Sequence, residues 1–295
     1  MPLPRALRVS IIKGENRRDN IRISIKLIAD DVKKGIGERQ IIIKPNFVST
    51  SIQLAASHVD QIRGILDFFR DFYKGKIIIA EAACGDTLDA FKNFGYYSLL
   101  DEYDIELIDL NRGPYKLIPI KDSKGRHINV RVSSVLLDKD NYLISIAKLK
   151  THDTVVVTLS IKNMAMGSVL LFDKGKVHQG LRQTNLNIVE LAQHVWPDLS
   201  VIDGLVGMEG NGPTFGDPIH VGIAIASTDS LAADRVACEV MGIDFLKVGY
   251  LYYCAKRGLG EADIKKINVI GTSIKKCITP FRLHSHVEEQ YKWEG

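Results

Sequence analysis

Short runs of Ile and Val recur along this chain, each followed by a stretch of helical periodicity, and that alternation constrains the fold more than any other feature. Leu7 to Ile12, Gln40 to Ile43, Lys76 to Ala80 and Ile105 to Leu110 have the length and β-branched content of strands. Helical patterns lie between them, from about Asn20 to Val32 and from about Ser57 to Phe72. Such alternation predicts βαβ units, hence an α/β fold with a mainly parallel sheet and helices on both faces. Ser57 reads as the N-cap of the second helix, with Asp60 in the first turn, where a carboxylate favours the dipole.

Further along, Asp122-Ser-Lys-Gly125 joins Tyr115 to Ile120 and His127 to Val132, a hairpin signal that predicts an antiparallel insertion over about 112–134. Strands resume at Tyr142 to Ala147, Leu199 to Ile202 and Val221 to Ala226, with helices near Val155 to Met166 and Asn187 to Trp196. Asp229 caps a helix to Met241, Asp244 starts another that stops at Gly258, and Lys266 to Ile270 forms a late strand. The expected organisation is one α/β domain over 1–278. The tail, 279–295, lacks a clear period and is expected to lie loosely on the surface.

The apolar fraction of 45% over 295 residues is enough for a substantial core. Basic and acidic residues, 39 against 35, are scattered, so nucleic acid is not an expected partner. Cys84, Cys238, Cys254 and Cys277 form no Cys-x-x-Cys pair, which predicts free thiols in a reducing cytoplasm and no iron-sulfur cluster. No apolar run approaches the ~18 residues of a membrane span and no signal-peptide core is present, so a cytoplasmic protein without membrane contact is expected. Tyr250, Tyr252 and Tyr253 with Trp196 read as packing or as an interface, which leaves a homo-oligomer as a candidate assembly.

Chemistry concentrates where strands end. Lys148, Lys150, Thr151 and His152 follow the apolar run ending at Ala147, and Lys162 and Asn163 lie one predicted helix later. Lys44 with Asn46, Glu81, and Asp203 close other predicted strands. Ligands of open α/β sheets bind beyond the carboxyl ends of the strands. One charged residue after a strand is ordinarily a solvated loop residue, but recurrence at the same end of several strands argues for a site. Lysines supply point charges for phosphate or carboxylate, and one crowded by others can lose its proton and act as base or Schiff-base nucleophile. His152 suits general acid–base work. Expected catalytic residues are therefore His152, Lys148 and Asp203. Lys44, Asn46, Lys150, Thr151, Lys162, Asn163 and His178, which follows Lys174 and Lys176, are expected to bind substrate.

The segment from Asp203 to Asp217 contains five glycines. Read as a loop, it lets the amides around Gly210 and Gly212 cradle an anion. Glu81, Asp203 and Glu209 then become candidate ligands of a divalent metal. The spacing fits neither the dinucleotide fingerprint nor the Walker loop. Asp229 and Asp234 read as helix-terminal stabilisers, and His284-x-His286 as incidental.

Ile-Lys-Pro-Asn at 43–46, Lys-Leu-Lys-Thr-His at 148–152, Lys162-Asn163, His178, Asp203-Gly204, Met-Glu-Gly-x-Gly-Pro at 208–213 and Ala-Ala-Asp at 232–234 together resemble the DUF 362 family, a domain of unknown function. The resemblance runs from roughly Gln40 to Gly260 and implies a soluble α/β protein whose activity is largely unassigned. Many relatives carry a ferredoxin-like cysteine cluster, which this sequence lacks. The loop from Ser49 to His58 departs from the family pattern, so no role is carried onto His58. Nickel-pincer lactate racemases offer an analogy through lysines and histidines between α/β lobes. The combined expectation is an enzyme on a small anionic metabolite, phosphate or carboxylate, using Lys/His proton transfer, with a divalent metal as a candidate cofactor. The alternative is a non-catalytic binding or carrier module for an anionic ligand or cofactor.

Overall fold

The computed structural model describes residues 7–294. Its strands are β1 (Arg8–Lys13), β2 (Gln40–Lys44), β3 (Ile77–Glu81), β4 (Ile105–Asp109), β5 (Tyr115–Lys121), β6 (His127–Ser133), β7 (Asn141–His152), β8 (Val156–Thr158), β9 (Leu199–Glu209), β10 (Asp217–Ser227) and β11 (Asn268–Gly271). Nine of them form one sheet in the order β11-β1-β10-β9-β7-β2-β3-β4, with β8 pairing β7. The run from β9 through β7, β2 and β3 to β4 is parallel throughout, as the alternation predicts. Strands β5 and β6 form the expected hairpin as a separate two-stranded sheet. Asp122 Oδ1 closes its turn by accepting from the amides of Lys124 and Arg126 at 2.9 Å each.

Strand alternation splits the apolar residues between two faces. Ile41, Ile43, Ile144 and Ile146 pack with Ile21 and Ile25 of the helix Arg17–Leu27 and with Ile62 and Ile65 of the helix Val59–Arg70. Ile42, Leu143, Ala147 and Leu149 face the other way, toward Met164, Ile188 and Val236. Those three belong to the helices Ser160–Ser168, Leu181–His194 and Ser230–Met241.

Several local expectations change. The antiparallel content is not confined to the insertion, because β10 runs antiparallel to both β9 and β1. The helix expected from Asn20 to Val32 is two, Arg17–Leu27 and Ala29–Ile36, separated by Ile28 at φ −113°, ψ 19°. The second helix starts afresh with Asp30 and Asp31 in its first turn, where acidic side chains are favoured. His58, not Ser57, caps the helix Val59–Arg70: its Nδ1 accepts from the Asp60 amide, and Gln61 Oε1 accepts from the His58 amide. Ser57 is buried and instead links chain segments, accepting from the Asn46 amide and donating to Ile146 O.

The β-branched run Val156–Thr158 makes β8 rather than part of a helix, which begins only at Ser160. The C-terminal segment packs closely. Phe281 and Trp293 are buried, Trp293 Nε1 donates to Lys247 O, and its ring lies 5.2 Å from those of both Tyr252 and Tyr253. The two tyrosines thus serve intramolecular packing. Residues 1–6 and 295 lie outside the described part.

Candidate ligand site

The expected end of β7 after Ala147 is not where it stops. The strand continues to His152 and is held there on both sides, by β8 through the pairs Lys150–Thr158 and His152–Val156, and by β9 through Lys150–Met208. Lys148, Lys150 and His152 therefore project from a paired strand, on the opposite side from Thr151. Beside them a cavity of about 110 Å³ opens at the carboxyl ends of β2, β3 and β7. Lys150, Lys162, Lys174, His152 and His178 line it, together with Asn46, Glu81 and Cys84.

Beneath the cavity lies a saturated polar platform. Lys44, fully buried, places Nζ 2.8 Å from Glu81 Oε2, 3.1 Å from Asn163 Oδ1 and 2.7 Å from Pro45 O. The Asn163 amide nitrogen donates to Ser145 Oγ and Ile146 O, and its oxygen also accepts from Asn46 Nδ2. Gly167 makes this arrangement feasible, since a Cβ there would fall 2.0 Å from both Cε and Nζ of Lys44. Burial pushes the Glu81 carboxyl upward and the Lys44 ammonium pulls it back, so each group depends on the other.

The helix carrying Lys162 and Asn163 is pinned by Asp234. Its carboxylate accepts from the amides of Ser160 at 2.8 Å and Ile161 at 3.0 Å, filling the first turn of a helix other than its own. Burial raises Asp234 to about 7, against the pull of those two amides.

The lysines facing the cavity are not equivalent. Lys150 donates to Asn46 Oδ1 at 2.7 Å and to Ala55 O at 2.8 Å, and Lys174 donates to Met166 O at 2.8 Å. Lys162 is 6% exposed, and among the described residues its Nζ has no hydrogen-bond or ion-pair partner. Burial lowers Lys162 to about 8, with Lys174 adding to the effect and Asp153 and Cys84 opposing it. Burial, then Lys162 and Lys148, hold Lys150 well below the usual lysine range.

Burial and the cations Lys162 and Lys150 keep His152 neutral. Its Nδ1 accepts from the Thr154 amide at 3.0 Å, which leaves the ring hydrogen on Nε2. Asp153 Oδ1, 3.0 Å from the same Nδ1, is accordingly no ion-pair partner, and it accepts from the Thr154 hydroxyl instead. His178 sits exposed at the rim, yet protein crowds its ring closely, and that crowding together with Lys162 lowers its pKa.

Of the residues expected to act together, Asn46, Glu81, Lys150, His152, Lys162 and His178 meet at the cavity, while Lys44 and Asn163 support it from below. Lys148 and Asp203 do not line it. Lys148 donates to Leu54 O, and burial lowers it to about 8 despite Asp203 nearby. Asp203 is buried and paired with Arg17 at 3.0 Å. Thr151 clamps the turn after β9 by donating to Gly210 O at 2.8 Å.

The anion cradle expected there is absent. The Gly210 amide donates to Arg282 O and the Gly212 amide to Gly210 O, because the glycine-rich segment is mostly strand and closes as a hairpin turn. The expected metal ligands do not converge either. Glu81 pairs with Lys44, Asp203 with Arg17, and Glu209 accepts from the Arg282 amide. Among the described residues, no group of three or more His, Cys, Asp or Glu is placed to hold a metal ion.

Sequence reasoning missed Lys174, Cys84 and the reach of Asp234. Cys84 follows Glu81 by three residues in the same strand-end loop, a signal open to reading. The pairing of Asp234 with the helix Ser160–Ser168 is long-range and has no local signature.

A mostly parallel α/β sheet with cationic groups gathered at its carboxyl edge defines the class of this protein. The chain belongs to the family described as Domain of unknown function (DUF362), which matches residues 41–239. It is 30% identical over 209 residues to the thylakoid-associated protein sll1697 of Synechocystis, an alignment covering 70% of this chain and 59% of that protein. In fold it is similar to the lactate racemase apoprotein from Thermoanaerobacterium thermosaccharolyticum, with TM-score 0.55 and 14% identity, covering 82% of this chain and 60% of that one. A second similar fold is a Thermotoga maritima protein, with TM-score 0.50 and 11% identity, covering 77% and 60% of the two chains. This chain thus spans about three fifths of the length of each of these three proteins. No helix among the described residues is long and apolar enough to cross a membrane.

Proposed function

We propose that the chain is an enzyme that binds a small phosphate- or carboxylate-bearing metabolite in this cavity and moves a proton with Lys162 and His152. The observation that carries the reading is Lys162, a buried side chain whose unpartnered Nζ opens onto the cavity among further lysines, with the lining carboxylate Glu81 already engaged by Lys44. A cavity-facing ammonium with little room for water and no partner in the protein is complemented by an anionic ligand, through a charge-assisted hydrogen bond. The cavity, about 110 Å³, is smaller than the roughly 300–1,000 Å³ that drug-sized ligands occupy, so the metabolite is small.

Lys150 and Lys174 are oriented by carbonyl and amide oxygens and serve as fixed anchors. Lys162, lowered to about 8, is close enough to neutrality to accept a proton, and neutral His152 offers Nε2–H as the complementary donor. The catalytic lysine in this reading is Lys162, in place of Lys148, which the sequence places among the catalytic residues. A reducing cytoplasm is the proposed setting, with the cysteines kept as thiols.

Calorimetric titration of the wild type with phosphate, glycolate and glyoxylate tests the anion site. Lys162→Met should weaken binding by about 10–100-fold, the worth of one charged hydrogen bond. Equal affinity in the variant refutes the assignment. Deuterium incorporation into a bound acid in D₂O, lost in the variant, reports the proton transfer; tight binding with no exchange favours the carrier alternative.

A further inference from the structure

The four cysteines are free thiols, and Cys238, Cys254 and Cys277 are buried. Cys84 is exposed and lines the same cavity as Lys150, Lys162 and Lys174. Its backbone is fixed, since the Cys84 amide donates to Phe47 O at 3.0 Å and so ties the loop after β3 to the segment after β2. The sulfur couples attractively to Lys150, Lys162 and Lys174, in each opposing the effect of burial. Independently of the sulfur, the buried and unpartnered Lys162 points to an anionic ligand. An anion that satisfies Lys162 within so small a volume lies beside Cys84.

We propose that Cys84 is the nucleophile of this cavity, adding reversibly to the carbonyl carbon of a small 2-oxo acid or acid aldehyde held by the lysines. A sulfur–carbon bond forms, the carbonyl π bond opens, and the thiol proton ends on the new hydroxyl oxygen by way of Lys162. The addition is isomeric and needs no oxidant or reductant. The assignment rests on the anion-site reading and narrows its ligands to those with a carbonyl carbon near the charged group.

Iodoacetate and iodoacetamide, alike in size and different in charge, are the first probes, with alkylation at Cys84 followed by peptide mass mapping of the full chain. The iodoacetate-to-iodoacetamide rate ratio at Cys84 should exceed that of N-acetylcysteine by on the order of tenfold, through electrostatic focusing, and should collapse in Lys162→Met. At matched occupancy, glyoxylate should protect Cys84 more than glycolate, and Cys84→Ser should bring glyoxylate affinity down to that of glycolate. A ratio equal to that of N-acetylcysteine, or equal protection by the two acids, overturns the role of Cys84. If phosphate still binds in that case, the anion site stands without it; if phosphate, glycolate and glyoxylate all fail to bind, both readings fall.

Discussion

Replacing Lys44 by Met tests the platform under the cavity. Its Nζ serves Glu81, Asn163 and Pro45 within 3.1 Å, and both members of the Lys44–Glu81 pair are buried. Removing one partner of such a pair costs about 3–5 kcal/mol, because the other charge is left stranded. Glu81 responds by taking up a proton, since burial already pushes its carboxyl upward and the opposing ammonium is gone. The sign follows from linkage. A carboxyl whose folded pKa lies above its unfolded value, about 4.3, binds more protons in the native state, so stability falls as pH rises through the interval between the two. The slope reaches about 1.4 kcal/mol per pH unit.

Urea unfolding followed by circular dichroism at pH 5 and pH 8 should therefore show Lys44→Met more destabilised at pH 8. The double variant Lys44→Met/Glu81→Gln should lose that pH dependence. A loss below about 1 kcal/mol at both pH values, or an equal loss at both, refutes the argument that the pair is interdependent.

The remaining expectations concern the helix above the platform. Lys162 has a folded pKa of about 8 against an ordinary 10.5, so the native state sheds its proton first and stability rises between those values. Lys162→Met should show less of that rise in urea titrations at pH 8 and pH 10, and an identical profile in the two proteins would count against a buried, depressed lysine. Asp234→Ala should lower stability by about 2–4 kcal/mol in the same assay, since two buried amides at Ser160 and Ile161 lose their acceptor.

How far the site was legible depended on the range of the interaction. The strands from β1 to β7 follow from Ile/Val runs, and the DUF362 motifs marked Lys44, Asn46, Lys150 and Lys162. The extension of β7 through Lys148 and Lys150 was hidden because a lysine reads as polar and ends an apolar run, although here its stem lies in a paired strand. Five glycines read as a loop for the same local reason, while Thr151, Arg282 and pairing along β9 and β10 make that segment a hairpin. The separation of Lys148 and Asp203 from the cavity, and the grip of Asp234 on a neighbouring helix, are tertiary facts with no periodicity to betray them.

Carrying Lys150 and His152 on a strand clasped between β8 and β9 couples occupancy to folding. Lys150, which a loop would let drift away, is brought against Lys162 by the same pairing that completes the sheet, so the unliganded chain folds against that repulsion. Whatever anion relieves that repulsion binds the native state alone and shifts unfolding by RT ln(1 + [L]/Kd), about 2.7 kcal/mol at a hundredfold excess over Kd. The melting temperature of this protein is thereby a detector of its own ligand, and a library of small acids can be ranked by heating alone, before any reaction is known.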